Sequence, residues 1–108
     1  MLVVILAHKI FAKDGKPNPV HLFDCGSAWE NLALQASSMG LVAHGMQGFD
    51  SEKARSELKV PDDYAVAAMF ALGHPGDPET LPAEMREKEK PSGRRPVSES
   101  IREGAFAF

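Results

Sequence analysis

Apolar and polar positions alternate between two regimes along this chain. Leu2 to Ala7 form an unbroken apolar run rich in valine and isoleucine, which reads as a buried central β-strand. A polar stretch, "KDGKPNPV", follows; its Asp-Gly pair and two prolines make it a loop. From Cys25 to Met39 the pattern changes to three- and four-residue spacing. Ala28, Leu32, Gln35, Ala36 and Met39 define one face, widened by Trp29 and Ala33, and predict an amphipathic helix with Asp24 as its N-cap. Gly40 stops that helix as a left-handed residue, and Leu41 supplies the apolar contact that accompanies such a stop.

Leu41 to Met46 predicts a short strand. "GFD" then opens a second helix over Ser51 to Leu58, capped by Asp50 and broken at Val60-Pro61-Asp62-Asp63. Tyr64 to Leu72, "YAVAAMFAL", is a second long strand, whose alanines also allow a helix, ending in the turn Gly73-His74-Pro75-Gly76. From Asp77 to Pro96 proline, glutamate, lysine and arginine dominate without apolar period, which predicts an extended arm. The tail carries Ile101, Phe106 and Phe108, and so apolar a finish predicts docking. There are no internal repeats.

Composition narrows the class. With 108 residues, 44% of them hydrophobic and 25% charged, the chain is a single globular domain or less. A net charge of −3 leaves no electrostatic footprint for nucleic acid. "MLVVILA" lacks the basic flank and cleavage site of a signal peptide, and no apolar run reaches membrane-spanning length. One cysteine, Cys25, excludes an internal disulfide and fits a reducing compartment, so the expected setting is cytoplasmic.

Candidate chemistry is sparse. Cys25 beside a helix start is read as a small packed residue rather than an activated thiol. The four histidines, His8, His21, His44 and His74, show no metal-ligand spacing. "EMREKEK" reads as a solvated face. Arg94 and Arg95 are the one compact basic pair outside a mixed-charge run; paired guanidinium groups suit a phosphate or carboxylate, and equally a solvated surface. Gly45 and Gly48 flank Met46-Gln47 between strand and helix, where missing side chains leave backbone N–H groups free to face a ligand.

Taken in order, "VVILA", "WENLALQASSMGL", "HGMQGFD", "SEKARSELKVPDDY", "AVAAMFALGHP" and "RRPVSE" resemble the C-terminal half of the FMN-dependent nitroreductase family over nearly the whole chain. The resemblance implies an α+β nitroreductase-like fold, present in part, with central strands, packed helices and an arm over 77–108. It implies FMN as cofactor and electron transfer from NAD(P)H through flavin N5 to nitroaromatic, quinone or similar acceptors. No side chain here serves as a general acid or base, and no metal is implied. Carried over, Met46, Gln47 and Gly48 run along the isoalloxazine ring, with the Gln47 and Gly48 amides donating to N5 and O4. Arg95 matches the position that contacts the FMN phosphate, Arg94 lies beside it, and Gly93 stands where some relatives place a second cation. Family enzymes are homodimers with FMN at the subunit interface and a C-terminal segment on the partner, which gives Phe106 and Phe108 a destination. The family's N-terminal half, with its arginine-rich phosphate grip, has no counterpart in these residues. The alternative expectation is therefore a catalytically silent fragment that dimerises or binds without turnover.

Overall fold

In a computed structural model of the chain, which describes residues 1–105, two compact units divide at Pro75/Gly76. The first holds three strands, β1 (Leu2–His8), β2 (Val42–Met46) and β3 (Tyr64–Gly73), and two helices, α1 (His21–Ser38) and α2 (Ser51–Glu57). The sheet is antiparallel in the order β1-β3-β2. β3, not β1, is therefore the central strand: among the described residues β1 pairs only with β3 and stands at one edge. Its continuous apolar run reflects apolar cover on both faces, which an edge strand can have as readily as a central one.

The register of β1 on β3 slips between Ile5 and Leu6, where Ile5 pairs Ala68 and Leu6 pairs Val66. Ala67 is thereby left out of the ladder as a bulge, which re-aims the chain locally. On one face of the sheet, Phe70 is 3% exposed and meets the Trp29 ring of α1 at a centroid distance of 4.9 Å. Ala7 and Ala36 are buried as well.

Helix α1 begins four residues earlier than the sequence pattern indicates. Its N-cap is Val20, with no side-chain cap bond, and Asp24 lies in the first turn instead of at the cap. The entry is set by Asn18, whose side chain accepts from the Val20 N–H (3.1 Å) and whose carbonyl takes a bond from His21 Nδ1 (2.7 Å). Asp24 still faces the positive end of the helix dipole. At the other end the glycine stop holds: Gly40 has φ +71°, Leu41 N–H donates to Ala36 (2.9 Å) and Gly40 N–H to Ser37 (3.0 Å), the paired bonds of a Schellman turn. Asp50 caps α2, its Oδ1 accepting from Lys53 N–H at 2.9 Å. The same paired bonds close α2, from Val60 N–H to Arg55 and Lys59 N–H to Ser56, but here Lys59 takes the left-handed position at φ +52°.

The second unit, Gly76–Phe108, is not featureless. It carries 3₁₀ turns at Pro78–Thr80, Glu87–Glu89 and Val97–Glu99 and a four-residue helix, α3 (Ala83–Arg86). Pro78, Pro82 and Pro96 preset the backbone at or just before three of these four starts, and Asp77 caps the first by accepting from Glu79 N–H. None of these elements contains a buried residue. Ile101 is exposed, and Phe106 and Phe108 lie outside the described residues.

Candidate functional site

The first unit contains a cleft of about 440 Å³ between α1 and the sheet. Leu22, Cys25, Gly26 and Trp29 form its helix wall, and Gly45, Met46 and Gln47 its strand wall. Ile5, Ala67, Ala68 and Met69 complete it. The helix wall follows from spacing: positions 22, 25, 26 and 29 are three and four apart and share a face. Part of the floor follows from the bulge, since two consecutive alanines, Ala67 and Ala68, both reach the cavity.

Among the described residues no carboxylate, lysine, arginine or histidine lines the cleft. Its one titratable group is the Cys25 thiol, which burial pushes above the ordinary thiol value. At neutral pH that thiol stays protonated, a weak nucleophile and a small packing group. What the cleft offers a ligand is therefore apolar surface, sulfur and backbone.

The backbone is the distinctive part. Met1 and Leu72 exchange both hydrogen bonds, so Leu72 faces β1. By the alternation of an antiparallel ladder, Met69, Ala71 and Gly73 then face β2, where they pair Met46, His44 and Val42. The next amide, that of Gln47, points away from β3. Neither the Gln47 nor the Gly48 N–H has an acceptor among the described residues, although the Gln47 carbonyl accepts from Phe49 N–H at 2.8 Å. Two adjacent donors are thus left open where β2 ends.

The two glycines flanking Met46-Gln47 play different parts. A Cβ on Gly45 would stand 3.2 Å from Trp29 Cζ2, so the close approach at Gly45 comes from this chain's own indole rather than from a ligand. A Cβ on Gly48 would meet nothing within 4 Å among the described residues. Trp29 thus sits between Phe70, 4.9 Å away, and Gly45, which pairs with Phe70 across the ladder.

Met46 and Gln47 line the cleft, and Gly48 follows them in sequence outside its lining. Arg94 and Arg95 belong to the second unit, where Arg94 donates to the Ser92 carbonyl and hydroxyl. Arg95 makes no side-chain hydrogen bond or ion pair among the described residues. Sequence reasoning passed over the helix wall: it started the helix at Cys25, which left Leu22 outside, and read Cys25 and Trp29 only as packing groups. Among the described residues no group of histidine, cysteine and carboxylate side chains is placed to hold a metal ion, and no helix is long and apolar enough to cross a membrane.

Comparison with known proteins places these features in a family. Residues 1–74 match the model of the nitroreductase family. A solved structure described as an oxidoreductase containing FMN superposes with a TM-score of 0.89 at 36% identity, over 98% of this chain and 55% of that one. An uncharacterized 15.4 kDa protein from the ask 5′ region of Mycolicibacterium smegmatis is 37% identical over 78 residues, covering 72% of this chain and 52% of its own length. Protein DrgA of a Synechocystis species is 44% identical over 48 residues, 44% of this chain and 23% of that protein. The chain spans about half the length of these relatives, or less.

Proposed function

The chain belongs to the nitroreductase family, and on that premise we propose that it forms the flavin-edge portion of an FMN-dependent oxidoreductase. In the proposed cycle electrons pass from NAD(P)H to a nitroaromatic, quinone or similar acceptor. The observation that carries the reading is the pair of open amides at Gln47 and Gly48, beside a cleft without charged side chains.

The residues fit the cofactor's ring. An isoalloxazine is flat, largely apolar and rimmed by acceptors, and it needs apolar walls with a few donors at one edge. The cleft supplies both. A donor held at N5 or O4 by backbone cannot change protonation with pH, and it favours the electron-rich form of whatever it contacts. Gln47 leaves no carboxylate beside the ring, so the amides act without a competing negative charge. When bound, FMN supplies the hydride chemistry at N5. Met46, Gln47 and Gly48 orient the ring, the apolar walls keep water from it, and Arg94 and Arg95 are assigned to the phosphate on the strength of guanidinium chemistry. The proposal includes a homodimer, the form in which this family acts, and a cytoplasmic setting.

The test compares FMN with 5-deaza-FMN, which lacks the N5 acceptor. Loss of one charge-free hydrogen bond predicts binding weaker by several-fold, about 0.5–1.5 kcal/mol. Equal affinity for the two, or a colourless protein that FMN cannot reconstitute, overturns the reading. FMN binding without NAD(P)H oxidation selects the non-catalytic alternative. The exposed apolar side chains Leu2 and Leu58 offer surface to a further partner under either reading.

A further inference from the structure

Gly26 lies six residues into an 18-residue helix, well clear of both ends. A glycine there costs helix stability relative to alanine, because it gives up backbone freedom and contributes no side chain. No packing among the described residues explains it: a Cβ built on Gly26 meets nothing within 4 Å beyond its own helix backbone. The contrast with Gly45 is direct, since a Cβ there would press on the Trp29 indole at 3.2 Å. One glycine is needed for packing and the other is not.

Its position says what it is for. Leu22, Gly26 and Trp29 stand four and three residues apart on one stripe of α1, and all three line the cleft. Facing them are Gly45, Met46 and Gln47. A side chain at 26 would extend into the space between its neighbours on that stripe, at the rim where Leu22 and Gly26 are exposed. The lining is uncharged, the Cys25 thiol included since burial keeps it protonated, so the space suits a neutral ring and offers no partner for an ionic group.

We propose that Gly26 is a clearance position: its missing side chain keeps the helix wall of the cleft open to a flat, uncharged aromatic ring. The proposal rests on the flavin reading for the identity of that ring, but its geometry belongs to this chain alone. It makes position 26 a determinant of what the cleft admits, at a standing cost to the helix.

Stability and binding should therefore move in opposite directions. The chain has a single tryptophan, Trp29, on the cleft wall. Any ring entering the cleft is reported by quenching of that one fluorophore, without reference to turnover. Wild type, Gly26→Ala and Gly26→Leu are titrated with FMN and, separately, with lumiflavin, which carries the ring without ribityl phosphate. Gly26→Ala should raise the thermal midpoint while weakening lumiflavin about threefold, and Gly26→Leu should weaken it about tenfold or more at undiminished stability. Equal affinities across the three proteins overturn the clearance role while leaving the flavin reading intact. Lumiflavin binding that leaves Trp29 emission unchanged, or wild type that binds neither flavin, overturns the proposal together with the cleft as a ring site. Lumiflavin that quenches and is lost in Gly26→Leu, with FMN no tighter than lumiflavin, supports the clearance role and removes only the phosphate assignment to Arg94 and Arg95.

Discussion

The two faces of the sheet are built to different standards. On one, α1 runs 18 residues, about 27 Å, along strands of which the longest, β3, extends about 33 Å. On the other, α2 has seven residues, about 10 Å, and covers only a fraction of the same strand. On the first face Phe70 is buried against the indole of Trp29, and Ala7 of β1 and Ala36 of α1 are buried as well. The second has, among the described residues, Val60 as its one buried apolar residue and leaves Leu2 and Leu58 largely in water, along a groove of about 630 Å³ that Val4, Leu6 and Ala54 also line. The lesson is that cover depends on helix length before it depends on side-chain choice: both faces offer apolar strand surface, and the longer helix covers more of it.

This inequality makes predictions of decreasing size. Phe70→Ala removes the most buried large side chain and the partner of Trp29; a loss of about 3–5 kcal/mol is expected in urea unfolding, with Trp29 emission shifted toward that of exposed indole. On the other face, Arg55 holds the segment after α2 with bonds to the carbonyls of Val60 (3.3 Å), Pro61 (3.0 Å) and Tyr64 (2.7 Å). Arg55→Ala should cost about 1–3 kcal/mol, since partly exposed bonds to a charged donor contribute less than a buried ring. If Arg55→Ala proves as costly as Phe70→Ala, the short-helix face is better consolidated than its exposure indicates. The smallest effect has the opposite sign. Lys59 occupies a left-handed position that α1 fills with Gly40, so Lys59→Gly should stabilise by roughly 0.5–1 kcal/mol, read as a rise in the unfolding midpoint. A destabilised Lys59→Gly would mean that the lysine side chain has a contact that outweighs its backbone strain.

Much of the fold was legible in local chemistry. Gly40 and Asp50 announce a helix stop and a helix start because each acts on backbone groups within a few residues, and both do so in the structure. The start of α1 was misplaced because Asp24 looks like a cap, while the actual entry uses the carbonyl and side chain of Asn18 ahead of an uncapped Val20. Strand order was not legible at all: an apolar run such as "LVVILA" records cover on two faces and says nothing about how many neighbours it pairs with. Of the candidate site, the turn at Met46-Gln47-Gly48 carried a local signal. The opposite wall did not, because Trp29 meets Gly45 across 16 residues of sequence and only the folded sheet brings them so close that a Cβ on Gly45 would stand 3.2 Å from the indole. In the second unit, prolines that read as breakers also start short turns.

Only three residues, Met39, Gly40 and Leu41, separate the last turn of α1 from the first residue of β2, and the paired bonds to Ala36 and Ser37 hold them. The two walls of the cleft are thus consecutive pieces of chain joined by a stiff corner. A hinge needs slack, and this corner has none. Under the proposed reading a visiting ring would meet jaws whose spacing was settled when the helix ended, and selection there would operate by fit and not by closure.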